Sequence, residues 1–196
     1  MPNIHAPNMP NMPPMLAFTV KSGIMSNDIP RVYIGQHPTH QINPSNYADD
    51  SYWFFFLDAS NPKNKVHEVL LPGTSNTTVP SGIQTYMDNP GLLFGVVTQH
   101  LSTLHVPQGA LYTFLTTYGA GRKLQQLEQL NVTLGCGSFG WVSYALIGQG
   151  GPRGGQNIPP PSYDGGSFRH DTILQYSLMP LSNGQPPYSI CDCNSF

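Results

Sequence analysis

Residues 134–142 read LGCGSFGWV and match the spacing G-x-G-x-x-G-x-V through Gly135, Gly137, Gly140 and Val142. That spacing serves phosphate binding. In a kinase the glycine backbone lies over ATP between two antiparallel strands, with a lysine on the next strand and two catalytic aspartates further on. The last lysine of this chain is Lys123, and neither H-R-D nor D-F-G occurs. A dinucleotide-binding loop needs its glycines to open a helix. These run into WVSYALIG, whose β-branched and aromatic residues favour a strand. The glycines are therefore read as a tight turn that tolerates positive φ, and no nucleotide or other cofactor is expected.

His37-x-x-His40 offers two metal ligands, but no carboxylate or thiol lies nearby in sequence, and Pro38 between them predicts an extended surface loop. No metal site is expected. Asp49-Asp50 is the only adjacent acidic pair; on a strand its carboxylates would face opposite ways and make a poor acid–base dyad. His100 and His105 flank a short loop after an apolar run, a place where function often sits. No G-x-S-x-G or Cys-plus-His signature accompanies the serines and cysteines. Catalytic residues are thus not expected, and the chain reads as a non-enzyme. Cys136 lies in a core segment, while Cys191 and Cys193 form CDC near the end. One disulfide from Cys136 to that tail and three reduced thiols both remain open. Asn76-Thr77-Thr78 and Asn131-Val132-Thr133 fit the N-glycosylation sequon. Trp53 opens an apolar run and reads as core. Trp141 begins a strand beside the glycine turn, with Ser143 on its face and Tyr144 on the other. Trp141, Ser143 and His100 form the candidate ligand-binding set, Trp141 facing outward. The alternative is that the prolines of 158–161 fold back over the indole.

The elements that must position these residues read as follows. LAFTVKSG (16–23) and RVYIGQ (31–36) have strand composition. SYWFFFLD (51–58) and LLFGVVTQ (92–99) are continuous apolar runs, the mark of strands covered on both faces. KVHEVLL (65–71) predicts the return strand of a hairpin with 51–58. A short helix is expected in 79–91, with Ile83, Tyr86 and Met87 inward, stopped at Asn89-Pro90. Residues 107–130 predict a helical stretch broken near Gly119 and Gly121. Residues 140–148 read as the last core strand and 171–181 as a tail strand. Together these give an α+β fold of mainly antiparallel sheets with a few helices. Its expected divisions are a Pro-rich arm at 1–15, a core at 16–151, a Gly/Pro linker at 152–166 and a C-terminal tail at 167–196.

Only 9% of the 196 residues are charged, against about 25% in an average soluble chain. Gly and Pro contribute 20 each, a composition suited to loop-rich β proteins of extracellular surfaces or viral particles. A net charge of −2 supplies no electrostatic pull on nucleic acid. No apolar run reaches the roughly eighteen residues of a membrane span. The opening MPNIHAPNMPNMPPM lacks the basic region and apolar core of a secretory signal, so a signal already removed and export in a virion both fit.

LNVTLGCGSFGWVSYALIGQGG resembles the closing signature of the interleukin-like epithelial–mesenchymal transition inducer domain. The features are Leu134-Gly135, a variable loop, then Tyr144, Leu146, Ile147, Gly148 and Gly150-Gly151. WFFFLDASNPKNKVHEVLL and PSGIQTYMDNPGLLFGVVTQ resemble the family's buried hairpin and its helix–strand pair, in the same order, so the likeness spans about 50–151. The resemblance implies a compact domain of antiparallel sheets and helices without catalytic residues. Its members are secreted signalling molecules, and one relative is a sugar-binding stem module of an O-mannose N-acetylglucosaminyltransferase. That relative's sugar-contacting residues do not carry over: Asp50, Gln99, His100 and Trp141 stand at their positions. The function expected is an extracellular or virion-borne structural or binding module that contacts other subunits or a surface receptor. A secreted glycan-binding or cytokine-like protein is the alternative.

Overall fold

The computed structural model describes residues 15–42, 48–134, 140–153, 160–182 and 185–191. Its organising element is β4 (Ser51–Asp58), in which every residue but Asp58 is buried. Alternation sends Tyr52, Phe54 and Phe56 to one face and Trp53, Phe55 and Leu57 to the other. Both faces are apolar, so both must be covered, at about 2 kcal/mol for each large side chain removed from water. β4 is flanked by β5 (Asn61–Pro72) and β6 (Leu92–Gln99), the predicted hairpin and second apolar run. β8 (Trp141–Gln149) follows β6 and carries β9 (Ser162–Ser167) on its other edge. The two-residue β7 (Leu101–Ser102) continues the line of β6 along β8.

One face of this sheet is covered by α1 (Ile83–Met87), α2 (Gly109–Thr117) and α3 (Arg122–Leu134). Ile83, Met87, Leu111, Leu115, Leu124 and Leu127 pack there against Tyr52, Phe54, Phe94, Tyr144 and Leu146. The helical stretch breaks between α2 and α3 at Gly119, whose φ of 97° a side chain would strain. α1 is shorter than the span 79–91 allowed, because Gly82 at its N-cap is left-handed (φ 73°).

The other face is covered by a second antiparallel sheet in the order β11-β10-β1-β2-β3. Its strands are β1 (Leu16–Ser22), β2 (Arg31–Ile34), β3 (His37–Gln41), β10 (Thr172–Ser182) and β11 (Gln185–Cys191). Phe18, Val20, Val32, Ile34, Leu174, Leu178 and Ile190 meet Trp53, Phe55, Leu57, Val97, Ala145 and Ile147 across the gap. The architecture is sheet on sheet on helices, mainly antiparallel β with a few helices, as expected. No helix among the described residues is long and apolar enough to cross a membrane.

Two stretches depart from their sequence reading, and the tail strand, β10, takes a place in the fold that the sequence leaves open. His37–Gln41, expected as a loop, is an edge strand on β2; an edge position accommodates Pro38, which cannot donate to a ladder. The linker stretch 152–166 ends inside β9, where Asp164, Gly165 and Gly166 pair with Leu146, Ala145 and Tyr144. The tail strand lies inside a sheet, between β1 and β11. Residues 1–14, the greater part of the Pro-rich arm, lie outside the described residues, as do 154–159.

Candidate functional site

The antiparallel order brings the start of β4, the end of β5, the end of β6 and the start of β8 to one end of the larger sheet. The loop after β1 and the loop between β9 and β10 reach the same end. There the His100 backbone N–H donates to the Gly23 carbonyl (2.8 Å), and Gln99 Nε2 donates to the Met25 carbonyl (2.8 Å).

A bulge sets the geometry. Val97 pairs with Ala145 and Leu101 with Val142, so four steps on the β6–β7 line oppose three on β8. The extra residue is His100, at φ 42°. Such a bulge re-aims a side chain, and here the imidazole stacks on the Trp141 indole, ring centroids 3.6 Å apart at 25°. Trp141 remains 44% exposed, and Leu104 nearby 51%.

One aspartate holds a histidine by a hydrogen bond, and a second stands near the other histidine, beyond hydrogen-bond reach. Asp49 Oδ2 lies 3.6 Å from His100 Nδ1, and Asp50 Oδ2 lies 2.5 Å from His105 Nδ1. Asp50 is left-handed (φ 56°), a conformation aspartate tolerates better than most residues. Its carbonyl accepts from Gly73 N (2.6 Å), and its Oδ1 accepts from Ser102 N (2.9 Å). Tyr52 Oη donates to the His105 carbonyl; burial, then the Asp50 charge, holds this phenol well above its ordinary pKa. Asn76 Nδ2 donates to the carbonyls of Leu104 (3.4 Å) and Val106 (3.0 Å). The 3-10 turn Thr103–His105 is thus tied to β4, to the end of β7 and to the segment after β5.

An imidazole whose Nδ1 is held by a carboxylate is oriented for proton transfer at Nε2. Nucleophilic catalysis would need a hydroxyl placed on that nitrogen. The nearest serine in sequence, Ser102, instead accepts from Leu104 N and caps the 3-10 turn. What the geometry does support is a fixed surface of an aromatic, two imidazoles and two carboxylates.

Of the candidate ligand-binding set, the structure brings Trp141 and His100 together and leaves Ser143 out. Ser143 does share a strand face with Trp141, opposite Val142 and Tyr144, but that face looks into the gap between the sheets. It is fully buried, and its Oγ donates to the His170 carbonyl (2.6 Å) and shares a hydrogen bond with Thr172 Oγ1 (2.7 Å). It fixes the loop after β9 rather than facing solvent. Pro160 and Pro161 lie at the opposite end of β8 from Trp141. There Pro160 accepts from Arg153 Nη1 and Pro161 from Gln149 N.

Gly135, Cys136 and Gly137 lie outside the described residues, as does Cys193; Cys191 closes β11 opposite Ser177. The glycine segment runs from α3 into β8. That helix-to-strand order is neither the strand–turn–strand of a kinase loop nor the strand–helix of a dinucleotide site. His37 and His40 lie on the edge strand, where His40 Nε2 is 3.2 Å from the Pro62 carbonyl. No metal-holding cluster occurs among the described residues. The sequence does not announce the placing of Asp49 and Asp50 beside His100 and His105, because the acidic pair reads as strand. It precedes the strand, and its one local signal is an Asp-Asp step just before an apolar run.

No protein-family model matches the chain, and no curated protein shows significant similarity to it.

Proposed function

We propose that the protein is a non-enzymatic binding module of an extracellular surface or a virion, engaging its partner through the end of the molecule that carries Trp141. The observation that carries this reading is the His100–Trp141 stack, which leaves a preorganised, 44% exposed indole among polar groups. An exposed aromatic held in one orientation costs little entropy on binding and offers a flat apolar face with an N–H at its edge. The low charge content supports the extracellular or particle-borne setting, and the Pro-rich arm and Gly/Pro stretch suit contacts with neighbouring subunits.

A secreted glycan-binding or cytokine-like protein is the second reading, favoured by one observation. The exposed Trp141 indole offers a flat apolar face to a pyranose ring, although the resembled relative's own sugar-contacting residues are replaced here by Asp50, Gln99, His100 and Trp141. Membership of residues 50–151 in that family belongs to the same proposal. The test is a glycan array and a cell-surface binding assay with wild type and Trp141→Ala. Binding that drops about tenfold or more on truncation of a central aromatic supports the site. A binder whose affinity is unchanged refutes it. Light scattering separates the settings: a large assembly favours the particle, a 21.4 kDa monomer the secreted protein.

A further inference from the structure

Beside the Trp141 surface lies an open hollow of about 420 Å³, lined by Ile24, Met25, Arg169, His170, Asp171 and Ile173. Single exposed apolar side chains are ordinary, but here Met25 (63% exposed) and Ile173 (59%) converge on one concavity. The two charged groups of the lining differ in their commitments. Asp171 accepts from Ile24 N at Oδ1 (2.9 Å) and pairs with Lys21 Nζ at Oδ2 (3.1 Å), and Lys21 also holds Asp28 (2.6 Å). The Arg169 guanidinium makes no ion pair or hydrogen bond among the described residues. Its exposed fork fits a carboxylate through two parallel hydrogen bonds.

The walls are already fixed. The Met25 carbonyl accepts from Gln99 Nε2 and from Asp28 N, and the His170 carbonyl accepts from Ser143 Oγ. Arg169 N and His170 N both donate to Ser167 Oγ. A ligand would therefore meet a site whose backbone needs little ordering.

We infer that this hollow docks an acidic peptide segment of a partner protein, seating a carboxylate on Arg169 and an aliphatic side chain against Met25 and Ile173. The mainly aliphatic lining favours a peptide over an acidic sugar, because a pyranose ring stacks best on Trp, Tyr or Phe faces and the one ring in the lining is the His170 imidazole. The inference goes beyond the Trp141 surface: the hollow contains none of that site's residues, and each can fail alone.

The test pans a random short-peptide phage library against the full chain at low salt. The best sequence is then synthesised and titrated against wild type, Arg169→Glu, Ile173→Asp and Trp141→Ala. All three sites are exposed, and melting curves check that the variants are folded. The expected outcome is enrichment of sequences that join Asp or Glu to Leu, Ile, Val or Met. The lead peptide should bind at least about tenfold more weakly to Arg169→Glu and to Ile173→Asp, weaken with added salt, and bind Trp141→Ala as well as wild type. Absence of enrichment overturns the inference, as does a lead that lacks an acidic residue or binds both hollow variants like wild type. Soluble polygalacturonate that binds wild type but not Arg169→Glu, with no peptide enriched, assigns the hollow to sugar and also overturns it.

Discussion

The imidazole of His100 lies flat against the indole of Trp141, 3.6 Å between ring centroids, because a one-residue bulge turns His100 out of the β6–β7 line. The histidine is thus a support for the aromatic. His100→Ala is expected to weaken whatever Trp141 binds by about three- to tenfold, by releasing the indole from its fixed orientation. Binding assays on His100→Ala and His100→Phe check this, since the phenyl ring restores the stack without the ring nitrogens. Equal loss in both variants would mean that the imidazole itself contacts the ligand.

Ser143→Ala removes the hydroxyl that donates to the His170 carbonyl and meets Thr172 Oγ1. Losing these hydrogen bonds at a fully buried serine costs about 1–2 kcal/mol, which urea unfolding will read directly. The loop at 168–171 should also loosen, so trypsin should cleave at Arg169 faster than in wild type. Unchanged stability together with unchanged cleavage would show that Ser143 is not what fixes the loop.

Gly95 pairs directly with Phe55 across β4 and β6, and the phenyl ring lies over the glycine. A Cβ at position 95 would sit 2.0 Å from Phe55 Cζ. Gly95→Ala is therefore expected to destabilise the protein by about 1–3 kcal/mol, since both strands are interior and the fully buried ring must shift to admit the methyl group. Combining it with Phe55→Leu should cost less than the sum of the two single changes. Strict additivity would argue against this contact.

Stability is expected to fall on the alkaline side. Burial lowers the Lys21 ammonium, but hydrogen bonds and charges from Asp28 and Asp171 leave it above its ordinary pKa. Burial raises the phenols of Tyr52, Tyr118 and Tyr144, helped by Asp50, Asp88 and Asp164 respectively. In the unfolded chain these groups release protons near pH 10, so above that the native state binds more protons than the unfolded one. Their contribution is complete below about pH 10 and lost as pH rises through the raised native values. Urea midpoints between pH 8 and 11 should drop, less steeply for Tyr144→Phe. A flat profile over that range would contradict the assignment.

The sequence by itself determined the elements whose cause is local. The unbroken apolarity of 51–58 and 92–99 demanded cover on both faces, and both strands lie between a second sheet and the helices. Gly119 marked the break between α2 and α3 because only a glycine takes φ near 97° without strain. The alternation of Trp141, Val142, Ser143 and Tyr144 placed the faces of β8, though not what covers them. Tertiary structure alone decided that β10 joins β1 across more than a hundred residues, because strand pairing over such separation leaves no periodic trace in either segment. That pairing buries Ser143 under His170 and Thr172 and forms the hollow at Arg169. It also took a register mismatch between β6–β7 and β8 to set His100 on Trp141. A bulge is an offset between two strands, so neither strand's own residues can announce it.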